Sequence, residues 1–421
     1  MKLSSYGQQM AGPSPIAELM QDLGDALNNN PDVLFLGGGN PALIPAASEI
    51  FRNHLQALLA EQASAERWLG VYQSPQGYEP LLTALSGYLQ EQGWPVSEQN
   101  LMVLNGGQSA FYRLFNAFGG PVYDPAGCVK NVRQIHLPVV PEYVGYRGQM
   151  IGGDAFVVSR PLIVEQGENR FRYTLDRNAV QLTPDSGALC LSRPANPSAN
   201  VLDLDDLTWL AEQAKAWEIP MIVDCAYGSP IPNIMPPSQC HRWAPGTIAV
   251  ISASKLGLPG LRTAVVVADA SVVALLTRIG AIESLAAGNT GPMLLERLIT
   301  SGDIARLTEL VPAFYQQKRQ LMLALLDEHL AGTPYKIHIP DGAFFVWLWL
   351  PDLPIGAKTL YQRLKVKGVL VMAGDDFFFG EEDRWQHAKQ CLRLNICQSD
   401  GDMAKAVAII AGEVKSAYVR V

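Results

Sequence analysis

The chain has 421 residues, 48% of them hydrophobic and 17% charged, with a formal net charge of −8; it is long enough for two packed cores and too apolar to stay disordered. That charge, without any local run of lysines and arginines, disfavours nucleic-acid binding. Residues 1–7 lack the continuous apolar segment of a signal peptide, and no stretch reaches bilayer-spanning length without Asp, Arg or Pro, so a cytoplasmic enzyme with no membrane span is expected.

Residues 1–30 read as an extended arm with a short helix. Val33 to Leu36 forms a strand that runs into Gly37-Gly38-Gly39-Asn40-Pro41. A dinucleotide fingerprint would need a helix directly behind the glycines, and Pro41 and Pro45 intervene. The stretch reads instead as a loop whose bare backbone can lie against a small ligand. Helical periodicity covers Ile50 to Glu61, and the turn-rich Tyr72 to Tyr78 precedes an amphipathic helix with Leu81, Leu82, Leu85, Tyr88 and Leu89 on one face.

Leu101 to Leu104 is a short strand that breaks at Asn105-Gly106-Gly107-Gln108-Ser109 and opens a helix through Phe115. Strand, glycine turn and helix start together present free N–H groups to phosphate, although a plain helix cap would look the same. Strands and helices then alternate at the spacing of βαβ units. Ile135 to Val140 ends at Pro141-Glu142-Tyr143, Ala188 to Leu191 at Ser192 to Pro197, Pro220 to Val223 at Asp224, and Thr247 to Ile251 at Ser252-Ala253-Ser254-Lys255; a helix spans about Leu204 to Trp217, and Thr263 to Ala268 is a further buried strand. Polar and aromatic clusters therefore fall at the carboxyl ends of strands along one sheet edge, where open α/β sheets hold ligands.

Past Asn289-Thr290-Gly291-Pro292 come long helices, Met293 to Thr300 and Ile304 to Leu330, then strands at Ala343 to Leu350, Val369 to Met372 and Cys391 to Ile396, with a helix around Lys358 to Lys367. The expected organisation is an arm with part of a small domain over residues 1–60, a large domain over 61–300 and a C-terminal small domain over 301–421. The six cysteines, at 128, 190, 225, 240, 391 and 397, form no C-x-x-C pair and read as reduced core residues. The six histidines are scattered, and no metal site is expected.

Lys255, flanked by Ser252 and Ser254 and followed by Gly260 and Arg262, suits a phosphorylated aldehyde: the amine bonds the carbonyl carbon while hydroxyl and guanidinium hold phosphate. Pyridoxal 5'-phosphate is the candidate. A solvated loop lysine is the plain alternative. Asp224, ending an apolar strand, needs a cationic partner, and a protonated pyridine nitrogen would be one; otherwise it caps a helix. Tyr227 and the Asn196 amide could donate to the ring oxygen, and Tyr143 could stack on the ring for about 0.5 to 1.5 kcal/mol beyond area burial. Amides of Gly106, Gly107 and Gln108, the Ser252 and Ser254 hydroxyls and Arg262 would take the phosphate. Arg393, if buried, needs an anion, either a substrate carboxylate or a structural salt bridge.

The set Asn196-Pro197, Asp224-x-x-Tyr227, Ser252-x-Ser254-Lys255, Gly260-x-Arg262 and Arg393 resembles the fold type I pyridoxal-phosphate aminotransferases over nearly the whole chain. Leu36 to Pro41, Pro141 to Tyr143, Ser254 to Gly260 and Gly342 to Trp349 resemble, more narrowly, those members that exchange an amino group between valine and pyruvate. The resemblance implies an α/β fold: a mostly parallel seven-stranded sheet with helices on both faces, plus a smaller α+β domain. It further implies that Lys255 is the covalent lysine and proton shuttle, that Asp224, Tyr227 and Asn196 bind the ring and Tyr143 covers it, and that Arg393 holds the substrate carboxylate beside Gly38, Gly39 and Asn196. Such enzymes are homodimers with shared sites, and by analogy Tyr72 would reach the phosphate of the partner subunit's cofactor.

One departure is Ala199 in Asn196-Pro197-Ser198-Ala199-Asn200, where the family often has glycine, so a slightly different turn is expected. Members acting on dicarboxylic acids use a second arginine just before the long helices, and Ile282 to Thr290 contains none, which favours valine, alanine or 2-aminobutyrate as amino donors to 2-oxo acids such as pyruvate. An aromatic aminotransferase or a C–S lyase of the same fold is the nearest alternative, and a non-catalytic cofactor-binding regulator a remote one.

Overall fold

Alternation along the apolar strands sorts their side chains onto two buried faces, which is what a parallel sheet covered on both sides requires. In the computed structural model, which describes residues 2–419 except 13, 15, 18, 19, 22, 23, 26, 27, 29–31 and 382–383, those strands are β1 (Leu101–Leu104), β2 (Gly120–Tyr123), β3 (Val129–Leu137), β4 (Phe156–Val158), β5 (Ser186–Ser192), β6 (Met221–Asp224), β7 (Thr247–Ser252) and β8 (Ala264–Val267). Their order is β1-β8-β7-β6-β5-β3-β2, with the short β4 also paired to β3. Seven strands form this path, the number expected, although β2 was not read from the sequence, and β4 adds an eighth. β3, β5, β6 and β7 pair in parallel, whereas β8 runs antiparallel to both neighbours and β2 antiparallel to β3.

Met102, Leu104, Ala188, Cys190, Ile222, Ile248, Val250 and Val266 share one core with helices α1 (Gly107–Phe118) and, further along the chain, Ala270–Glu283. Their alternates, Leu101, Val103, Leu189, Leu191, Met221, Val223, Ala249 and Ile251, join the other core, which also takes Leu207 and Leu210 from helix α2 (Leu204–Ala216). The helices on both faces therefore follow from a period of two in the strands. The same rule leaves only the strand ends open to a ligand.

A second, six-stranded sheet contains the expected strands Phe345–Trp349 and Cys391–Asn395, together with Met372–Ala373 and Lys336–His338. The expected strand from Val369 to Met372 is two: Val369–Leu370 pairs in parallel with Leu34–Phe35, and Met372–Ala373 with Cys391–Asn395. The hairpin Leu162–Glu165 and Arg170–Thr174, which was not expected, also joins this sheet. Buried Phe171 and Tyr173 anchor it, Arg170 pairs with Asp327 and Arg172 with Asp341. In the arm, Ser4 caps a helix over Ser5–Met10, its hydroxyl accepting from the Gly7 amide at 3.1 Å; the rest of the expected arm lies partly outside the described residues. Cys190, Cys225 and Cys391 are buried as expected, while Cys128 is exposed on the β2–β3 hairpin. Among the described residues no helix is long and apolar enough to cross a membrane.

Candidate active site

The carboxyl ends of β5, β6 and β7, the start of α1 and the loop after β3 open onto one cavity of about 400 Å³. Of the residues expected at the site, Gly38, Gly39, Gly107, Gln108, Tyr143, Asn196, Asp224, Tyr227, Ser252, Ser254, Lys255, Arg262 and Arg393 all line it. Two do not. Tyr72 stands 85% exposed in the loop before Glu79–Glu91. Gly106, expected to offer its amide, instead donates it to the Leu104 carbonyl at 2.8 Å. Its contribution is space: at φ of +90°, a Cβ there would lie 2.3 Å from the Arg262 Nη2. The guanidinium can therefore lie flat over the glycine turn at the mouth of α1.

Three successive carbonyls of the glycine loop each take a donor from the site. Arg393 Nη2 donates to Gly37 O at 2.6 Å, Asn395 Nδ2 to Gly38 O at 3.1 Å, and Lys255 Nζ to Gly39 O at 2.8 Å. Gly38 must lack a side chain, because a Cβ would sit 2.2 Å from the Phe35 ring. Lys255 also lies 5.5 Å from the Tyr227 ring centre and 5.7 Å from that of Phe344. Burial lowers its pKa to about 8, with Arg393 and Arg262 acting in the same direction and Cys397 and Asp224 against it. Such an amine is uncharged, and nucleophilic, over part of the neutral range.

Asp224 is buried at the end of β6, and among the described residues it forms no ion pair. Tyr146 donates to its Oδ2 at 2.8 Å and the Ala226 amide to its Oδ1 at 2.9 Å, yet burial holds its carboxyl above the usual range. Arg393 is the reverse case. It is 3% exposed, stacked 4.3 Å from the Phe345 ring centre, and donates from Nη1 to Asn196 Oδ1 at 2.8 Å, while its Nε meets no acceptor among the described residues. Burial lowers its pKa to about 10, and no carboxylate pairs with it among the described residues. Two buried groups of opposite sign thus face one cavity without satisfying each other. Such an arrangement is unfavourable until ligands supply a cation for one and an anion for the other.

This donor set fits pyridoxal 5'-phosphate. Asp224 would meet the ring nitrogen, Lys255 the aldehyde carbon, and the end formed by Arg262, Ser252, Ser254 and the first turn of α1 the phosphate. Tyr143 projects into the cavity from the loop after β3, its ring 5.3 Å from Tyr146 and nearly perpendicular to it. At Ala199 the chain keeps a left-handed turn in spite of the side chain. Ala199 adopts φ of +59° at a fully buried turn, where its carbonyl accepts from the Asp341 and Gly342 amides and its own amide donates to Ala195 O. Those bonds hold the left-handed geometry that glycine would adopt freely, at a cost of about 1–2 kcal/mol.

Sequence reasoning missed Tyr146, which orients Asp224, the Gly37 carbonyl on Arg393, and Asn395 beneath the glycine loop. Only Tyr146 left a trace, as a second tyrosine three residues after Tyr143.

Fold and site together define an α/β enzyme built around a phosphorylated aldehyde cofactor. The family model "Aminotransferase class I and II" matches residues 162–410. Over 420 residues, 99% of each chain, the sequence is 38% identical to valine–pyruvate aminotransferase of Escherichia coli (strain K12). The structure resembles that of a putative amino-acid aminotransferase from Psychrobacter arcticum 273-4, with a TM-score of 0.95, 37% identity and 100% of both chains covered. It also resembles valine-pyruvate aminotransferase from Salmonella typhimurium LT2, with a TM-score of 0.87, 37% identity, and coverage of 96% of this chain and 100% of that one. The chain belongs to the class I and II aminotransferases, and its cofactor is pyridoxal 5'-phosphate.

Proposed function

We propose that this aminotransferase moves an amino group between a small aliphatic amino acid (valine, alanine or 2-aminobutyrate) and a 2-oxo acid such as pyruvate or 2-oxoisovalerate. The observation that carries this reading is the supply of cations. Arg262 lies at the glycine turn of the phosphate end, which leaves Arg393 as the guanidinium for a substrate carboxylate among the described lining residues. The remaining walls include Ile16, Met20, Phe35 and Met372. A second substrate carboxylate would be buried without a partner. The full-length relative from Escherichia coli, named for valine and pyruvate, supports the same choice.

The bound cofactor supplies an aldehyde carbon that accepts the amino group and a protonated ring that delocalises the electron pair left on the amino acid Cα. The chain's own residues do the rest. Asp224, its orientation fixed by Tyr146 and the Ala226 amide, would hold the ring-nitrogen proton. Arg393 grips the carboxylate through the N–H groups not used by Gly37 and Asn196, and so sets which Cα bond faces the lysine. Lys255 Nζ, once the substrate amine has displaced it, would be the group that takes up the proton leaving Cα and gives it back. Tyr227 and Asn196 would donate to the ring oxygen, and Tyr143 would cover the ring and exclude water. Exposed Leu69, Val71 and Tyr72 are tied by Asn289 to the segment bearing exposed Ile282 and Leu285. We take this face for a homodimer contact that brings Tyr72 to the partner subunit's cofactor, in an enzyme of the cytoplasm.

Mixing the cofactor-loaded protein with single amino acids and following its absorbance tests the substrate reading. Valine should react at least about 100-fold faster than aspartate, equivalent to roughly 3 kcal/mol for an unpaired buried carboxylate. Alanine, valine and 2-aminobutyrate should differ by only about 1 to 3 kcal/mol. Faster reaction with aspartate would refute the reading, and ammonia or thiol release without a new amino acid would point to a lyase.

A pH series tests Lys255. Because burial lowers its pKa to about 8, covalent uptake of the cofactor by cofactor-free protein should speed up with rising pH around a midpoint near 8. A midpoint near the ordinary lysine value of 10.5 would contradict the buried environment.

A further inference from the structure

Glu142 has no part in the roles above, yet it is one of the most enclosed acids in the chain, only 2% exposed. It sits one layer behind the cavity, which Ser192 lines and Glu142 does not. Its two oxygens receive three donors: the Ser192 amide to Oε1 at 2.7 Å, the Ser192 hydroxyl to Oε2 at 2.6 Å, and the Tyr143 amide to Oε2 at 3.1 Å. The bonds continue outward from there. The Ser192 hydroxyl accepts from the Asn196 backbone N–H at 3.2 Å, and the side-chain Oδ1 of Asn196 accepts from Arg393 Nη1 at 2.8 Å. On the other side, the Glu142 amide donates to Phe377 O at 2.9 Å, and the Phe377 ring centre lies 5.3 Å from the same Arg393 guanidinium.

One carboxyl thus joins the loop bearing Tyr143 to the turn bearing Asn196, and its backbone reaches the segment packed on Arg393. No cation pairs with it among the described residues, and burial pushes its pKa up to about 8 despite the three donors. An apolar side chain here would leave three buried donors without an acceptor, and an amide would set its NH2 group against one of them. Burying an acid is worthwhile where several donors must be fixed in one geometry.

We propose that Glu142 is a positioning residue for the carboxylate clamp: through Ser192 it sets Asn196, and with it the plane of the Arg393 guanidinium, in register with the ring-covering Tyr143. The proposal rests on the reading of Arg393 as the group that holds the substrate carboxylate.

The test uses the cofactor-loaded full chain, the variants Glu142→Gln and Ser192→Ala, and 3-methylbutanoate, an unreactive carboxylate of the same shape as valine's carbon skeleton. Glutamine keeps the size but offers an NH2 group to backbone and hydroxyl donors. Each variant should weaken 3-methylbutanoate binding, measured by calorimetry, about tenfold and raise KM for valine in parallel. kcat and the dissociation constant of the cofactor should move less than about threefold, and the double variant should be no worse than either single one. Unchanged carboxylate affinity overturns the proposal, as does an equal loss for cofactor and carboxylate, which is what a merely structural role produces. If the glutamine variant does not fold, Ser192→Ala carries the same two outcomes. Failure of the wild-type protein to bind 3-methylbutanoate would bring down the reading of Arg393 and this proposal with it; wild-type binding with undiminished binding by the variants would bring down this proposal alone.

Discussion

Replacing Lys255 with alanine is expected to remove amino transfer almost entirely, by at least about 10³ to 10⁴-fold in kcat. The side chain has two tasks that no neighbour can assume. Its nitrogen meets the Gly39 carbonyl and faces the rings of Tyr227 and Phe344, and it is the amine among the described residues that line the cavity. The other cations among the described lining residues, Arg262 and Arg393, are guanidiniums, a group suited to holding anions rather than to taking a proton from carbon. Borohydride treatment of the wild-type protein followed by peptide mass mapping should place the cofactor on the peptide containing Lys255, and the variant should carry no such adduct. An adduct on another lysine, or turnover above about 1% of wild type, would rule out this assignment. The substitution should leave the fold intact, since it removes a half-buried amine that carries no ion pair among the described residues.

Asp224→Asn separates stability from function. With the ring cation bound, removing the charge opposite it should lower kcat by roughly 10² to 10⁴-fold, the equivalent of about 3–5 kcal/mol for breaking a buried pair. Without the cofactor the effect should reverse. Burial raises the Asp224 pKa above the ordinary 3.8 in the folded protein. The contribution of such a group to stability is fully present below its unfolded pKa and is lost as pH rises through its folded one. Asparagine carries no charge to bury, so cofactor-free Asp224→Asn protein should melt higher than cofactor-free wild type at neutral pH, and the gap should close as pH falls towards 4. A melting series with and without cofactor measures both signs. A variant less stable than wild type under both conditions would mean that Asp224 serves the fold rather than the ring.

Both experiments address residues that were legible before any coordinates, and the reason is local. β6 and β7 are short apolar runs that stop at Asp224 and at Ser252, two residues before Ser254 and three before Lys255. Where a strand buried on both faces ends, its last polar side chains have only the sheet edge to occupy. The cluster around Lys255 and the glycine turn before α1 could therefore be placed along one edge from spacing alone. Ala199 shows the limit of that reasoning. Its side chain disfavours the left-handed turn, but the amides of Asp341 and Gly342, far along the chain, hold its carbonyl there.

By itself, then, the amino-acid sequence determined the large sheet, the strand ends and the chemical identity of the groups at the site, because periodicity and turn chemistry act within a few residues. Tertiary structure alone decided which of those groups stay unpaired and which acquire a second layer. Arg393 meets Gly37 across 356 positions and Asn196 across 197, and neither separation carries a local signal. The hairpin at Leu162–Thr174 entered the second sheet for the same reason: its partners, Lys336–His338, Asp327 and Asp341, lie well over a hundred residues downstream. Glu142 looked like one residue of a loop until folding enclosed it among donors from Ser192 and Tyr143. Burial, which turns a carboxyl, an amine and a guanidinium into a site, is a property of what surrounds them, and the surroundings come from the whole chain.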